Sequence, residues 1–224
     1  MLSNDSIENF IFCKYKYTLY IKKKLPKDKL AIHYKNQKRY LSNKYLKNLK
    51  LKGYSILNNP SGIIQKKINK YCISNYLLYK DNIQIRYDII EYSEKEKNQI
   101  IPVFINPSIR VSTDYEKFCL TLSYLLSINT NFSIQKIRII SANGCKTRSI
   151  QNSHEIGKNI ISNISQISQK KALKIIVKTK HCSICPNWNK CRSILISKDS
   201  ISLLGNISSK ELDKYYNKVI FKIR

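Results

Sequence analysis

The sequence predicts a mixed α/β fold in which a central sheet is flanked by helices. Segments with apolar residues at three- and four-residue spacing alternate along the chain with short segments rich in β-branched and aromatic residues. Their order is helices, a hairpin, a helix, a hairpin and a helix, which is typical of a mixed sheet with helices on its faces. With 224 residues, of which 42% are hydrophobic, the chain is long and apolar enough to bury a core.

The N-terminal third of the chain is predicted to be helical. Apolar residues recur at helical spacing over residues 6–21 and predict one helix there. A Lys-rich helix is expected over residues 33–52, followed by Gly53, and a shorter helix near residues 61–69.

The rest of the chain alternates between strands and helices. The spacing predicts a first group of strands over residues 71–79, 83–91 and 100–105, a second pair over residues 135–141 and 146–150, and helices over residues 114–128 and 153–169. The charged residues 93–99 form the expected turn before the third strand. Thr113 and Glu116 have the spacing of a capping box and predict where the first of the two helices begins.

The chain is strongly basic, with 41 Lys and Arg against 14 Asp and Glu and a formal net charge of +27. Such an excess attracts polyanions, and nucleic acid is the usual one, because binding releases condensed counterions. Drift of the gene towards AT-rich codons is the alternative explanation, since Lys, Asn, Ile and Tyr are all abundant. Tyrosines interleave with lysines over residues 14–52, where their rings could stack on single-stranded bases or form helix core.

No apolar run approaches the roughly 18 residues of a membrane span, and the polar N-terminus lacks the apolar stretch of a signal peptide. We therefore expect a cytoplasmic protein that does not contact membranes.

Three of the seven cysteines fall in one short segment, as Cys182-x-x-Cys185-x5-Cys191. Two thiolates three positions apart can hold one metal centre, and a third a short loop away supplies another ligand. The fourth ligand is open: the adjacent His181 would complete a zinc site, whereas the remote Cys13 would complete a four-thiolate site. The other cysteines lack partners at ligand spacing and are expected to be small apolar residues, namely Cys72, Cys119 and Cys145.

A lone cysteine in the N-terminal helix, followed near the C-terminus by this cysteine cluster, resembles the iron–sulphur nucleases of the PD-(D/E)XK superfamily. The match is most specific over residues 181–221, where HCSICPNWNKCRS leads into DSISLLGNISSKELDKYYNKVIF, and there it is similar to the RecB-like putative nuclease family. The resemblance implies a restriction-endonuclease-like core and a 4Fe-4S cluster that joins the chain ends. The ligands that it implies are Cys13, Cys182, Cys185 and Cys191.

The resemblance also implies an active site, which this sequence matches only in part. The superfamily places an Asp on one strand and a Glu-x-Lys pair on the next; the carboxylates hold Mg²⁺ and the Lys helps to orient the attacking water. Asp88 matches the first position, but Phe104 and Asn106 stand where the Glu and Lys are expected. Mg²⁺ is therefore expected only if the site is active. Glu91 would share the sheet face of Asp88 only if the strand is bulged.

The resemblance names three further residues as contacts to DNA. On the helix after the second active-site strand, Tyr124 is present, whereas Leu120 replaces the family's Gln. In the C-terminal segment, the expected contacts are Lys210 and Lys214.

The resemblance divides the chain into a nuclease-fold domain over residues 1–196 and a short tail over residues 197–224. The tail is similar to half of a helix-hairpin-helix, and a plain amphipathic helix is the alternative. Members of the family continue into an RNase H-like domain and some carry a helicase, which implies that such a partner domain is separate or lost. A truncated gene product is also consistent with Val219, which replaces a helix-ending glycine of the family.

Together these observations predict a DNA-binding iron–sulphur protein of DNA processing or repair, on a RecB-like nuclease fold, with weak or no cleavage. The first alternative is an active Mg²⁺-dependent DNA nuclease, in which Asp88 and an unaligned carboxylate such as Glu91 complete the site. The second is a structural or interaction module held together by zinc through His181 and the three clustered cysteines.

Overall fold

The computed structural model describes residues 1–23, 31–58, 70–93, 99–151, 153–169, 176–204, 211 and 214–215. Seven strands among these residues form one sheet. The strands are β1 (Leu2–Ser3), β2 (Ser55–Asn58), β3 (Lys70–Lys80), β4 (Ile83–Ser93), β5 (Ile100–Ile105), β6 (Lys136–Ser141) and β7 (Gly144–Ser149). The α-helices are α1 (Asn4–Phe12), α2 (Lys14–Ile21), α3 (Ala31–Leu51), α4 (Thr113–Asn129), α5 (Ser153–Gln169) and α6 (Trp188–Ser197), and 3₁₀ turns cover Lys180–Ile184 and Ile201–Leu203.

The sheet mixes parallel and antiparallel pairs in the order β2-β3-β4-β5-β6-β7, with β1 pairing separately to β4. Strands β3, β4 and β5 are antiparallel, β6 runs parallel to β5 after the crossover through α4, and β7 returns antiparallel to β6. The edge pairs β1–β4 and β2–β3 are parallel. A mixed sheet with flanking helices is thus confirmed.

Two apolar cores lie against the sheet. The larger core contains buried residues of α1, α4 and α5, including Ile7, Leu122 and Ile164, together with Tyr87 of β4. The smaller core lies under α3, where Leu49 is buried with residues of the central strands such as Ile89. Burial of both faces explains why the central strands are apolar on both sides.

The pairing of β3 with β4 is interrupted at one position. Ser74 pairs with Ile89 and Tyr76 with Tyr87, but Asn75 and Asp88 between them do not pair, and Asn75 has a left-handed backbone with φ of 56°. The interruption reverses which way the side chains face: Tyr87 belongs to the larger core, whereas Ile89, two residues further on, belongs to the core under α3. Asp88 therefore lies where β4 changes faces.

The N-terminal helix differs from the prediction, because residues 6–21 form two helices rather than one. Cys13 between them is extended, with φ of −165° and ψ of 113°, and its sulfur accepts a hydrogen bond from the Lys16 N–H at 3.4 Å. The Cys13 side chain thus caps α2 and competes with continuation of the helix, which periodicity alone does not reveal.

The predicted capping box of α4 is wrong by one residue. Ser112 is the N-cap, and its hydroxyl accepts a hydrogen bond from the Tyr115 N–H at 3.1 Å. Glu116 instead accepts hydrogen bonds from the Arg148 guanidinium on β7. Because two adjacent residues, Ser112 and Thr113, can both cap a helix, the local sequence left the register open.

Most other predicted elements are confirmed within one to three residues, and β1, β2 and α6 were not predicted. The predicted helix near residues 61–69 and most of the tail over residues 197–224 lie outside the described residues, so the tail remains a prediction. None of the helices in the described part of the chain is both long and apolar enough to cross a membrane.

Candidate functional site

Strands β4 and β5 diverge at Asp88, and the side chain of Asp88 fills the fork. The β4–β5 ladder begins at the pair Ile89 and Val103, so Asp88 is the first residue of β4 outside it. The Asp88 carboxylate accepts a hydrogen bond from the backbone N–H of Ile105 at 2.9 Å. On the same side of β4, the earlier residues pair with β1, and the Asn4 side chain bonds the backbone of Arg86. Asp88 thus lies between the start of the chain and β5.

Helix α3 places a cation on Asp88. Lys38 Nζ lies 2.7 Å from Asp88 Oδ1, and the two side chains are 36% and 19% exposed. Burial raises the pKa of the neighbouring Tyr34, and the charges of Glu8 and Asp88 raise it further. The sequence did not single out Lys38, because helix α3 contains many lysines and the spacing of Lys38 does not distinguish it from the others.

Glu8 of α1 is the second carboxylate of this site, and it too was missed. Burial raises the pKa of Glu8, whereas the charges of Lys16 and Lys38 lower it. Glu8 also acts with Asp88 on Tyr115 of α4, whose pKa is raised chiefly by burial. We refer to Glu8, Tyr34, Lys38, Asp88 and Tyr115 as the fork cluster. It joins α1, α3, β4 and α4 around one acidic strand position.

The two residues at the expected Glu and Lys positions serve the fold. Phe104 is 2% exposed and packs in the larger core, with its ring centroid 6.4 Å from that of Tyr87. Asn106 is 4% exposed; its N–H donates to the Ile140 carbonyl at 2.8 Å, and its Oδ1 accepts from the Ser108 N–H at 3.0 Å. Neither residue can supply the carboxylate and amine that the resemblance implies.

Glu91 belongs to a different cluster from Asp88. It is 2% exposed, accepts a hydrogen bond from the Tyr45 hydroxyl at 2.5 Å, and forms an ion pair with Arg138. Arg138 Nη1 also donates to the Tyr45 oxygen at 3.3 Å. The charge of Glu91 is therefore compensated by Arg138. The carboxylate that acts on Tyr34 and Tyr115 together with Asp88 is Glu8.

The predicted DNA contacts have different surroundings. Tyr124 packs between α4 and α5, where its ring lies edge-on to His154 at a centroid distance of 5.4 Å. A Cβ added to Gly157 would lie 2.6 Å from Tyr124, so the two helices are in close contact there. Lys214 is helical and exposed, and Lys210 lies outside the described residues.

The four cysteines implied as ligands come from three places in the fold. Cys13 lies between α1 and α2, Cys182 is in the 3₁₀ turn, Cys185 follows that turn, and Cys191 is in the first half of α6. Three of the sulfurs accept N–H hydrogen bonds: from Lys16 to Cys13, from Thr179 to Cys182 at 3.2 Å, and from the Asn187 side chain to Cys191 at 3.2 Å. Hydrogen bonds of this kind tune sulfur ligands in metal centres.

The thiols also influence one another electrostatically. Burial raises the pKa of Cys13, and charge on Cys182 and Cys185 raises it further. Burial likewise raises the pKa of Cys191, with added contributions from the other three thiols. The four cysteines are thus neighbours, although no group of three or more Cys, His, Asp or Glu side chains within the described ranges is arranged to hold a metal ion. The donor chemistry suits a thiolate-bound metal centre, whereas the spacing of the side chains is not that of a formed site.

His181, the alternative fourth ligand, contacts α4. Its Nε2 lies 2.9 Å from the Asp114 carboxylate, and its ring stacks on Phe12 at a centroid distance of 4.4 Å. Lys180 also pairs with Asp114, at 2.9 Å. Burial acts to raise the pKa of Asp114, but hydrogen bonds from His181 and Lys180 outweigh it and lower that pKa. These contacts fix the 3₁₀ turn against the start of α4 and the end of α1.

The three cysteines outside the group of four differ in exposure. Cys72 and Cys119 are each 0% exposed, as expected for small apolar residues, whereas Cys145 is exposed on β7. Burial raises the pKa of Cys119 well above its ordinary value, and the charge of Asp88 raises it further, so this thiol borders the fork cluster. It is not placed to act as a nucleophile, because a buried neutral thiol is unreactive.

No protein-family model and no curated protein matches this chain.

Proposed function

We propose that this chain is a DNA-binding iron–sulphur protein on a RecB-like nuclease fold that cleaves DNA weakly or not at all. The cluster ligands proposed are Cys13, Cys182, Cys185 and Cys191. The observation that carries the binding function is the charge of α3. Its 21 residues include no Asp or Glu and six cations, Lys35, Lys38, Arg39, Lys44, Lys47 and Lys50.

The surface of α3 supports contact with phosphates. Five of its cations are exposed, and only Lys38 is half-buried in its ion pair with Asp88. Exposed cations along one helix attract a phosphate backbone and release counterions on binding. Tyr40 is 66% exposed on the same helix, and its ring can stack on an unpaired base. The surface therefore suits a backbone-binding protein with little sequence preference.

The order of Asp88 on β4, the next strand β5 and then helix α4 supports the restriction-endonuclease-like core.

The contacts of Asp88 argue against efficient cleavage. Mg²⁺ is bound by oxygen ligands and is favoured by several negative charges, but Asp88 is already neutralised by Lys38, and Phe104 and Asn106 add no charge. A metal ion would have to displace the Lys38 ammonium. Binding without strong cleavage is the function that this arrangement favours.

The four cysteines support a cluster that joins the chain ends, because the charge of Cys13 contributes to raising the pKa of Cys191 although the two residues are far apart in sequence. A four-iron cluster is bound by four thiolates. Bound here, it would connect the α1–α2 junction to the segment that ends in α6.

Metal analysis tests the cluster. We expect anaerobically purified protein to be brown and to contain about four iron and four sulphide per chain. Cys13→Ser should lose most of the iron, whereas Cys145→Ser, which removes an exposed thiol outside the group, should retain it. Full iron content in Cys13→Ser would contradict the assignment of that ligand. A colourless protein with one zinc would instead favour the module in which His181 is the fourth ligand.

Salt-dependent DNA binding tests the α3 surface. We expect fluorescence anisotropy with labelled single- and double-stranded oligonucleotides to show binding that weakens steeply with salt. The double variant Lys47→Gln/Lys50→Gln should weaken binding and reduce the slope of log K against log salt by about 0.9 for each lost phosphate contact. The matched control removes two exposed cations near α6, as Lys190→Gln/Lys198→Gln. Equal losses in the two variants would refute α3 as the specific surface.

A second candidate function is a divalent-metal nuclease centred on the fork cluster. The specific observation is that Lys38 pairs with Asp88 and that its charge also acts on Glu8, so a second carboxylate lies within electrostatic range of this pair. If this site cleaves DNA with Mg²⁺, Asp88→Asn and Glu8→Gln should each abolish the activity. The control Asp81→Asn changes an exposed aspartate in the β3–β4 turn and should leave it unchanged. Activity that survives Asp88→Asn would exclude this site.

A further inference from the structure

A groove of about 490 Å³ lies between α3 and the β6–β7 hairpin, on the sheet face away from α4 and α5. Along α3 and the turn that follows it, the lining residues recur every three or four positions, from Leu41 through Lys44 and Asn48 to Lys52. They therefore lie on one face of the helix. The volume is within the range of about 300–1,000 Å³ that is usual for small-molecule sites. All lining residues are in the described part of the chain.

The groove combines cations with apolar and aromatic surface. Lys44, Lys52 and Arg138 contribute the positive charge, and Tyr45 and Tyr54 contribute ring surface. The remaining apolar lining includes Leu41, Leu49 and Ile140. A bare phosphate would leave this apolar surface uncovered, and a neutral aromatic compound would leave the cations without a partner. A ligand that carries both an anionic group and a flat ring would satisfy both parts.

Arg138 is held in place at the base of the groove. Its Nη1 bonds to the buried Glu91 and to the Tyr45 hydroxyl, so neither the guanidinium nor the Tyr45 ring turns freely. Glu91 compensates one positive charge, which leaves the groove with a net excess from Lys44 and Lys52. Preorganised polar groups reduce the entropy lost on binding. The net charge suits a phosphate monoester.

The hairpin opposite α3 has an open backbone. Gly144 has φ of 115°, and a Cβ built on it would meet nothing within 4 Å. Ala142 is exposed in the same turn and also lines the groove. This wall is therefore open to solvent, and a larger side chain at Ala142 would extend into the groove without disturbing a packed core.

We propose that the groove between α3 and the β6–β7 hairpin binds a nucleoside phosphate, with the phosphate at Lys44 and Lys52 and the base against the Tyr45 and Tyr54 rings. The ligand is either a free mononucleotide or the phosphorylated end of a nucleic-acid strand. The strand-end source rests on the proposed DNA binding, and the free nucleotide does not. The groove shares a helix face with Lys38, since Lys38 and Tyr45 are seven residues apart, or about 10 Å along α3. A strand end in the groove would thus lie near the fork cluster.

Direct titration of the full chain tests the proposal. Adenosine 5′-monophosphate, adenosine, inorganic phosphate and single-stranded oligonucleotides with and without a 5′-phosphate are the probes. We expect the monophosphate, or the phosphorylated oligonucleotide, to bind at least about tenfold more tightly than its counterpart without phosphate. Bound ligand should also slow alkylation of Cys145, the exposed thiol that lines the groove, as measured by peptide mass spectrometry.

Two variants locate the site. Lys44→Gln/Lys52→Gln should weaken nucleotide binding about tenfold or more, and Ala142→Trp should block it by filling the groove while leaving every cation in place. The matched control is Lys190→Gln/Lys198→Gln, which changes two exposed cations outside both the groove and α3 and should leave nucleotide affinity unchanged. Thermal melting confirms that each variant is folded.

The outcomes separate the two ligand sources and the two proposals. Mononucleotide binding that both groove variants abolish supports a free nucleotide. Binding of only the phosphorylated oligonucleotide, with the same sensitivity, supports a strand end. Nucleotide affinity that is absent, or unaffected by Ala142→Trp, overturns the groove proposal even if long DNA still binds through Lys47 and Lys50. Nucleotide binding without any binding of long DNA supports the groove and refutes the proposed function.

Discussion

The ion pair between the buried Glu91 and Arg138 predicts a large loss of stability when Arg138 is replaced. Glu91 is 2% exposed, and its two oxygens bind the Tyr45 hydroxyl and the Arg138 guanidinium. Burial acts to lower the pKa of Arg138, but the charge of Glu91 outweighs it and raises that pKa. Arg138→Met keeps an apolar stem in place but removes the only cation paired with Glu91 among the described residues.

The expected cost of Arg138→Met follows from the carboxylate that it leaves behind. Removing one partner of a buried ion pair costs about 3–5 kcal/mol of unfolding free energy. The double variant Glu91→Leu/Arg138→Met removes both charges and leaves only the Tyr45 hydroxyl without its acceptor, which costs about 1–3 kcal/mol. The double variant should therefore be more stable than the single variant, by roughly 2 kcal/mol.

Urea unfolding followed by circular dichroism measures both effects. With a denaturant slope of about 2 kcal/mol per molar, Arg138→Met should lower the midpoint by about 1.5–2.5 M. The matched control is Arg148→Met, because Arg148 pairs with Glu116 where the two side chains are 46% and 27% exposed. An exposed pair contributes at most about 1 kcal/mol. Equal losses of stability in the two single variants, or a double variant no more stable than Arg138→Met, would show that Glu91 does not need Arg138 to compensate its buried charge.

Two other perturbations give clear expectations. Gly157→Ala would place a methyl group 2.6 Å from Tyr124, so despite the better helix propensity of Ala we expect the free energy of unfolding to fall by about 1–2 kcal/mol, as measured by a thermal melt. The double variant Gly157→Ala/Tyr124→Ala should recover the part of this loss that is due to the clash. An unchanged stability of the single variant would contradict the close contact between α4 and α5. Burial raises the pKa of Cys72 from 9.0 to about 11, with a contribution from Glu91. The folded chain therefore keeps this proton at a pH where the unfolded chain has lost it. The contribution of Cys72 to the free energy of unfolding is complete below pH 9 and is lost, by roughly 3 kcal/mol, as the pH rises through 11. Cys72→Ala should flatten this part of a curve of stability against pH, and an unchanged slope would assign the loss to other groups.

Sequence patterns located most elements because their signals are local. Helices α4 and α5 and strands β3 and β5 follow from apolar periodicity, which depends on the neighbouring residues alone, and α3 follows from a Lys-rich segment that ends before Gly53. Strands β1 and β2 were missed because each is short and is defined by pairing with a strand elsewhere in the chain. The break at Cys13 was missed for a similar reason, since a side-chain cap interrupts a helical pattern without altering it.

The sequence by itself determined the basic charge, the spacing of the clustered cysteines, and the presence of Phe104 and Asn106 where the resemblance implies a Glu-x-Lys pair. Tertiary structure decided which charges meet. Lys38 pairs with Asp88 although the two residues are 50 positions apart, and the charge of Lys38 also acts on Glu8 near the start of the chain. Glu91 is only three residues from Asp88 but forms its ion pair with Arg138. Such pairings depend on the direction in which each strand faces its helices, and the unpaired position at Asp88 sets that direction through backbone geometry that no residue pattern displays.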